Sequence, residues 1–278
     1  RLINYHQGAT SSFLLLGFNY GKKCQFDSSL LYLKQALFHS SHLFSNTGTS
    51  AEIYITMGKV YEQLSQRDSA CLFMYKALET LELSNLDFRD QRVIKNAYKV
   101  YRHIGAFWMT QNNMENALIY LNKATLLATL SNDHGLQHDA QLVKGTIHFR
   151  NANLDSAVKY YSSLLSDHST SISTRILANE NMARIFLRMP DHQTQKNSFP
   201  YLLEAFRLSK EKDYKLYTLR IQSLLAALYA STEEYKKSEQ LLVDILNDPA
   251  KNSLGLLELT LQHKNLSKVY WALGDYKQ

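Results

Sequence analysis

The sequence predicts an all-α protein built as a solenoid of stacked helical hairpins. Three observations predict it. A spaced pattern of large, small and aromatic residues recurs seven times, its members fall on helical faces, and helix breakers are scarce, with three Pro and ten Gly in 278 residues. Repetition at this period decides the architecture before any single helix does. One hairpin cannot bury its apolar face alone, and stacked neighbours make the core together.

The first helix of each copy carries a large residue, a large–small pair and an aromatic at i, i+3, i+4 and i+7, one face of an α-helix. The first copy places Phe13, Leu16-Gly17 and Tyr20 there, then Phe26, Ser29, Leu33 and Ala36 on a second helix. The second copy reads Tyr54, Met57-Gly58, Tyr61, then Ala70, Met74 and Ala77. The third reads Tyr101, Ile104-Gly105, Trp108, then Met114, Ala117, Leu121 and Ala124. In the fourth these become Gln141, Lys144-Gly145, His148, then Leu154, Ala157, Tyr161 and Leu164. The fifth has Asn179, Met182-Ala183 and Phe186, then a short insertion before Ser198, Leu202 and Ala205. The sixth follows with Gln222, Leu225-Ala226, Tyr229, Tyr235, Ser238, Leu242 and Ile245. The seventh opens at His263, Leu266-Ser267, Tyr270 and stops at Gln278, inside the copy.

The small residue of each pair lets the partner helix approach closely. Glycine in a helix interior costs about 1 kcal/mol relative to alanine, so four glycines at one phase imply a packing reason. The aromatic anchors recur about every 40 residues, which predicts first helices of roughly 18–22 residues, about 27–33 Å long. Asp87 to Thr110 and Asp213 to Ala230 contain no Pro, as long helices require. Short turns are expected at Asn112-Asn113, Asn151-Ala152-Asn153, Ser231-Thr232-Glu233 and Gly274-Asp275. Ser198 is expected to cap a helix carrying Pro200 in its first turn, and Pro190 to Asn197 to form the longest irregular, mobile connection.

The second copy resembles the tetratricopeptide repeat, whose pattern runs large residue, Leu-Gly, Tyr, then Ala, aromatic, Ala. The resemblance covers nearly the whole chain, as repeats at about 10–45, 51–86, 90–132, 136–168, 172–210, 216–249 and a truncated 256–278. It implies one continuous array with right-handed superhelical stacking. The proline that usually follows the second helix is absent from most copies; Pro249 alone sits near that place. In this the chain is more similar to the long-helix arrays of bacterial signalling regulators. Both ends read as cut, with Arg1 first and no helix to cover Tyr270 and Trp271, so the natural protein is expected to continue, and the open apolar end allows a homodimer.

Composition narrows the function. An apolar fraction of 45% supplies a continuous core, while no apolar run reaches the roughly 18 residues of a membrane span. Cys24 and Cys71 fall at non-corresponding positions and read as free thiols. His134 and His138 are four apart, as zinc ligands on one helix are, but His-Gly-Leu-Gln-His lacks the glutamate of the metalloprotease motif and flanks a turn. His39 and His42 have no third ligand nearby in sequence. Exposed histidines account for both pairs, and a buried, satisfied imidazole accounts for His148. No phosphate loop, nucleophile elbow or kinase signature is present, so the reading is of a non-catalytic chain without metal or cofactor.

The resemblance also locates a ligand groove on first-helix positions 2, 5, 9 and 13, counting the large residue as 4. These carry Lys99, Arg102, Arg150, Arg184, Arg188 and Arg220, with Lys22, Lys59, Lys264 and Lys268, against only Glu52, Asp139 and Glu180. That bias far exceeds the 31 basic and 25 acidic residues overall, and clustered charge steers anionic partners. The first six are the candidate partner-binding residues. The third repeat offers Lys99, Arg102 and His103, but the Lys-then-Asn pair of carboxylate-clamp repeats is missing before it. Phe18 is nearly the only aromatic at groove positions, which argues against single-stranded nucleic acid, whose bases stack on aromatics. The expected function is a protein-interaction scaffold that takes an acidic peptide or protein in a basic concave groove. The alternative that the resemblance implies is the sensory region of a bacterial transcriptional regulator or sensor histidine kinase, with its effector domain beyond Gln278. The compartment is open, cytoplasmic or the extracytoplasmic part of an anchored protein.

Overall fold

The computed structural model describes residues 2–23, 25–43, 47–82, 89–249, 251–254 and 256–274. They form α1 (Leu2–Lys22), α2 (Phe26–Ser40), α3 (Thr47–Gln63), α4 (Arg67–Glu82), α5 (Gln91–Thr110), α6 (Met114–Leu130), α7 (His134–Arg150), α8 (Leu154–Ser166), α9 (Ile172–Leu187), α10 (His192–Gln195), α11 (Phe199–Glu211), α12 (Lys215–Ser231), α13 (Tyr235–Asn247) and α14 (Leu256–Leu273). No strand occurs among the described residues. The helices gather into two compact units, Arg1–Ala140 and Gln141–Gln278. Cys24, Asp275 and Tyr276 lie outside the described residues, as does the side chain of Lys22.

The glycine phase has the packing reason expected of it. A Cβ on Gly17 would lie 2.6 Å from Leu33 Cγ, one on Gly105 2.5 Å from Leu121 Cγ, and one on Gly145 2.5 Å from Tyr161 Cε1. Each time the facing residue is the large one on the second helix of the same copy. In the first and sixth copies the second helix's own small residue is serine, and its hydroxyl is satisfied on the first helix: Ser29 Oγ donates to Gly17 O at 2.6 Å and Ser238 Oγ to Ala226 O at 2.8 Å. A buried hydroxyl without such a partner would be costly. The core then runs through Leu33, Ile53, Ile94 and Tyr98 in the first unit and Tyr161, Ile176, Leu202 and Ile221 in the second, all nearly inaccessible.

Among the described residues, four hairpins close by the same turn. Ser65, Asn112, Ala152 and Glu233 have φ of 60°, 58°, 58° and 63°, and each lies four residues after its aromatic anchor. The next amide then reaches back to the anchor's carbonyl: Gln66 N to Tyr61 O, Asn113 N to Trp108 O, Asn153 N to His148 O and Glu234 N to Tyr229 O, at 2.8–3.0 Å. This left-handed residue with a six-to-one bond caps the orphan carbonyls of a helix end. In the fifth copy Pro190 occupies the same place, and its ring fixes φ near −65°. The turn cannot form, and the chain instead inserts α10 and a 3-10 turn at Lys196–Ser198. The expected irregular connection is therefore largely helical, with Asp191 accepting from Thr194 N at 2.7 Å.

A β-carbon in the left-handed region costs roughly 1–2 kcal/mol, glycine excepted. Ala152→Gly is accordingly expected to raise the melting temperature by about 2 °C; an unchanged or lower value on thermal denaturation would show that this turn is not strained.

Several local expectations are corrected. Ser198 is not an N-cap: it has helical dihedrals, and its Oγ donates to Gln195 O at 2.6 Å. Over the described residues, the first helices α1, α5 and α14 reach the expected length, at 21, 20 and 18 residues, while α9 has 16. The second helices α8, α11 and α13 have 13 residues each. After α8, the Asp167 side chain accepts from Ser169 N and Oγ at 2.8 and 2.6 Å, a local bond that competes with helix continuation.

Candidate functional site

In the first unit, α3, α5 and the start of α7 place a cationic cluster. Lys99 Nζ donates to Glu52 Oε1 and Arg102 Nη2 to Asp139 Oδ1, both at 3.1 Å. The buried Tyr98 hydroxyl donates to Asp139 Oδ2 at 2.7 Å, so one carboxylate orients both groups. Lys59, on α3, extends to His103 on α5, with Nζ donating to Nε2 at 3.1 Å. All of Lys59, Lys99, Arg102 and His103 are half-buried.

Burial, and then the Arg102 guanidinium, lower the Lys59 ammonium from 10.5 to about 8. Burial and the neighbouring Lys59, Arg102 and Lys99 hold His103 well below the usual imidazole range. Burial and the Asp139 carboxylate raise Tyr98. Between about pH 8 and 10.5 the unfolded chain keeps a proton that the folded Lys59 has released, so stability rises with pH across that window. Tyr98 acts oppositely above pH 10, because the unfolded phenol ionises first. Urea denaturation is therefore expected to show stability rising from pH 8 to 9.5, and Lys59→Met to flatten that rise; a wild-type slope retained by Lys59→Met would refute the assignment.

In the second unit the centre is Glu180 on α9, only 1% exposed. Its Oε1 accepts from Arg184 Nη2 at 2.8 Å and from Arg220 Nη2, on α12, at 2.6 Å, while its Oε2 is buried without a hydrogen-bond partner. One carboxylate thus holds two guanidiniums beside a cleft of ≈ 290 Å³ whose lining also includes Glu258, itself engaged by Ser223 Oγ and Gln262 Nε2. Both arginines line it together with Leu216, Leu224, Leu254 and Leu261. The two guanidiniums and the aliphatic side chains of one cleft suit an acidic group attached to an apolar neighbour, with Glu258 leaving room for a donor on the same ligand.

The structure thus sorts the six candidate residues. Lys99 and Arg102 share the first cluster, and Arg184 and Arg220 the second. Arg188 turns away from that pair: its guanidinium carbon sits 3.9 Å above the Phe149 ring and its Nη1 donates to Phe149 O at 3.3 Å. Arg150 is exposed. All three acidic groove residues are partners of these bases, an arrangement that charge counting missed.

The histidines differ from expectation too. His6 supplies the neighbour that His39 and His42 lack in sequence, with Nδ1 3.0 Å from His39 Nδ1 and its ring stacked on His42 at 4.5 Å. The stacked planes do not converge on one point, and no group of three metal-competent side chains occurs among the described residues. His134 and His138 both lie on α7, not before it, and His138 is buried rather than exposed. His148 is half-buried, stacked on Tyr160 at 5.5 Å. That pairing recurs as Tyr20 on Tyr32, Tyr61 on Phe73 and Phe186 on Tyr201. Those partners stand three residues after the second-helix small residue, a signal present in the sequence. Cys71 is a free, half-buried thiol. No described helix is long and apolar enough to cross a membrane.

Residues 51–80 match the tetratricopeptide repeat family. No curated protein matches the chain. Among solved structures it is similar to the Signal Transduction ATPase with Numerous Domains protein with a tetratricopeptide repeat sensor from Pyrococcus horikoshii, at TM-score 0.55 and 14% identity. The alignment covers 96% of this chain and 39% of that one, so this chain spans well under half of its length. It is also similar to the Rap conjugation gene regulator of the plasmid pLS20 in complex with the Phr* peptide, at TM-score 0.61 and 16% identity, over 95% of this chain and 73% of the other.

Proposed function

We propose that this tetratricopeptide-repeat protein is an interaction module that takes a peptide or protein segment carrying an acidic group beside an aliphatic residue, in the cleft walled by Arg184 and Arg220. The observation that carries the reading is Glu180, whose buried carboxylate fixes both guanidiniums before any partner arrives. A preformed site spares the receptor the ordering cost of binding, and two oriented guanidiniums give a carboxylate or phosphate charge-assisted hydrogen bonds. The peptide carried by the Rap regulator supports a peptide as the partner class.

An array of immobilised peptides, each acidic sequence paired with its Asn or Gln counterpart, tests the reading. The protein is expected to select acidic–aliphatic peptides. The neutral variant Glu180→Gln/Arg184→Gln/Arg220→Gln is expected to bind them at least about tenfold more weakly while remaining helical. Equal binding of acidic and amide peptides would overturn it.

A second reading makes the array the sensing part of a larger regulator, favoured by the likeness to the sensor-bearing Pyrococcus protein and to the Rap regulator. The coding sequence beyond Gln278 tests it: a DNA-binding or kinase module there supports the regulator, and a stop soon after one further helix opposes it.

A further inference from the structure

Lys59 stands apart from the other basic residues of the first unit. Lys99 and Arg102 end on carboxylates, whereas the Lys59 amine ends on an imidazole nitrogen, His103 Nε2, at 3.1 Å. The Lys59 ammonium is all donor, so in that form Nε2 accepts and the imidazole proton sits on Nδ1. The groups facing the amine are Lys99, Arg102 and His103 from α5, with Glu52 and Glu62 from its own helix. Glu62 is engaged by the Thr110 hydroxyl at 2.7 Å. A half-buried amine set against a base and flanked by cations has the surroundings of an activated nucleophile, and no step of partner binding uses it.

We propose that Lys59 is a carbon dioxide site, its amine carbamylated while its remaining N–H is held on His103 Nε2. The Nζ lone pair forms a C–N bond to the carbon of CO2, and one C=O π pair moves onto oxygen. The proton released from Nζ passes to water, because burial and the neighbouring cations keep the His103 imidazole neutral. The products are a carbamate anion and a hydrated proton, with no leaving group and no change of oxidation state. The anion forms beside Arg102 and Lys99, each able to hydrogen-bond it or offset its charge. Carbon dioxide is also small enough for an amine that is only half open to solvent.

Only the neutral amine reacts. At pH 7.5 an amine titrating at about 8 is neutral roughly 200-fold more often than an ordinary lysine. Carbamylation replaces a cation by an anion on this face, so the inference extends beyond the arginine cleft of the second unit and stands or falls separately from it.

The test uses the full chain equilibrated with 13C-labelled carbon dioxide at pH 7.5. Carbamates are trapped by O-alkylation with a trialkyloxonium salt and located by peptide mapping. Lys59 is expected to be trapped at more than about tenfold the occupancy of the exposed Lys159 and Lys236, which act as internal references in the same fold. His103→Gln is expected to lower the occupancy at Lys59 severalfold and leave the references unchanged. Trapping spread evenly over exposed lysines, or none at Lys59, would overturn the proposal; undiminished trapping in His103→Gln would overturn the role of the imidazole.

Discussion

Replacing Glu180 with alanine is expected to destabilise the protein by about 2–4 kcal/mol, read from urea denaturation followed by circular dichroism. The carboxylate is nearly inaccessible and bridges Arg184 and Arg220. Its loss removes the carboxylate that bridges the two guanidiniums and leaves a cavity beside α9. The estimate sits below that for a wholly buried pair because the arginine side chains are 40% and 37% exposed, where water screens them. Restoring neutrality separates the two contributions. Glu180→Gln/Arg184→Gln/Arg220→Gln is expected to be more stable than Glu180→Ala, because burying an unpaired charge costs more than burying neutral amides. A Glu180→Ala protein as stable as wild type would mean that the bridge positions the arginines without supporting the fold.

Gly145→Ala is the second large effect, and its sign opposes helix propensity. Alanine favours helix by about 1 kcal/mol over glycine, so an unobstructed site gains stability. Gly8, in α1, has nothing within 4 Å of an added Cβ, and Gly8→Ala is expected to stabilise by about 0.5–1 kcal/mol. At Gly145 the new atom meets the fully buried Tyr161 ring at 2.5 Å. The rigid ring can yield only by separating α7 from α8, and overpacking of this kind costs typically 1–3 kcal/mol. Gly145→Ala is expected to lose about 1–2 kcal/mol net, despite the propensity gain. Gly58 should fall between them, since its obstacle at 3.0 Å is Cε, the flexible end of Met74. Thermal melts of the three variants should rank in that order; a stabilised Gly145→Ala would show that the small-residue phase is not set by close approach.

The repeat architecture was legible because packing constraints recur at every copy. Gly17, Gly58, Gly105 and Gly145 share one phase because each faces the large residue of its own second helix, and such a constraint writes itself into sequence. The candidate site was legible only as a charge bias. Lys99, Arg102, Arg184 and Arg220 were found by position, and Glu180 with Arg184 is an i,i+4 pair on one helix, but that Glu52, Asp139 and Glu180 pair with Lys99, Arg102 and Arg220 depends on separations of 37 to 47 residues within a stack. The approach of Lys59 to His103 spans 44 residues and carries no periodic signature. Helix ends such as Ser198 were misread because a serine near a proline fits a cap in sequence, while dihedrals and bonds decide whether it is one.

The shared hairpin turn has a kinetic consequence. Where the six-to-one bond forms, two helices are joined by a few residues, and their contacts lie close in sequence. Little loop-closure entropy is spent, so those hairpins are expected to assemble early and independently, as local contacts favour. The fifth copy lacks this local clasp because Pro190 forbids it, and α9 must find α11 across a longer tether. That hairpin should consequently be the last to close and the first to exchange its amides, making α10 and its flanks the point from which the second unit opens.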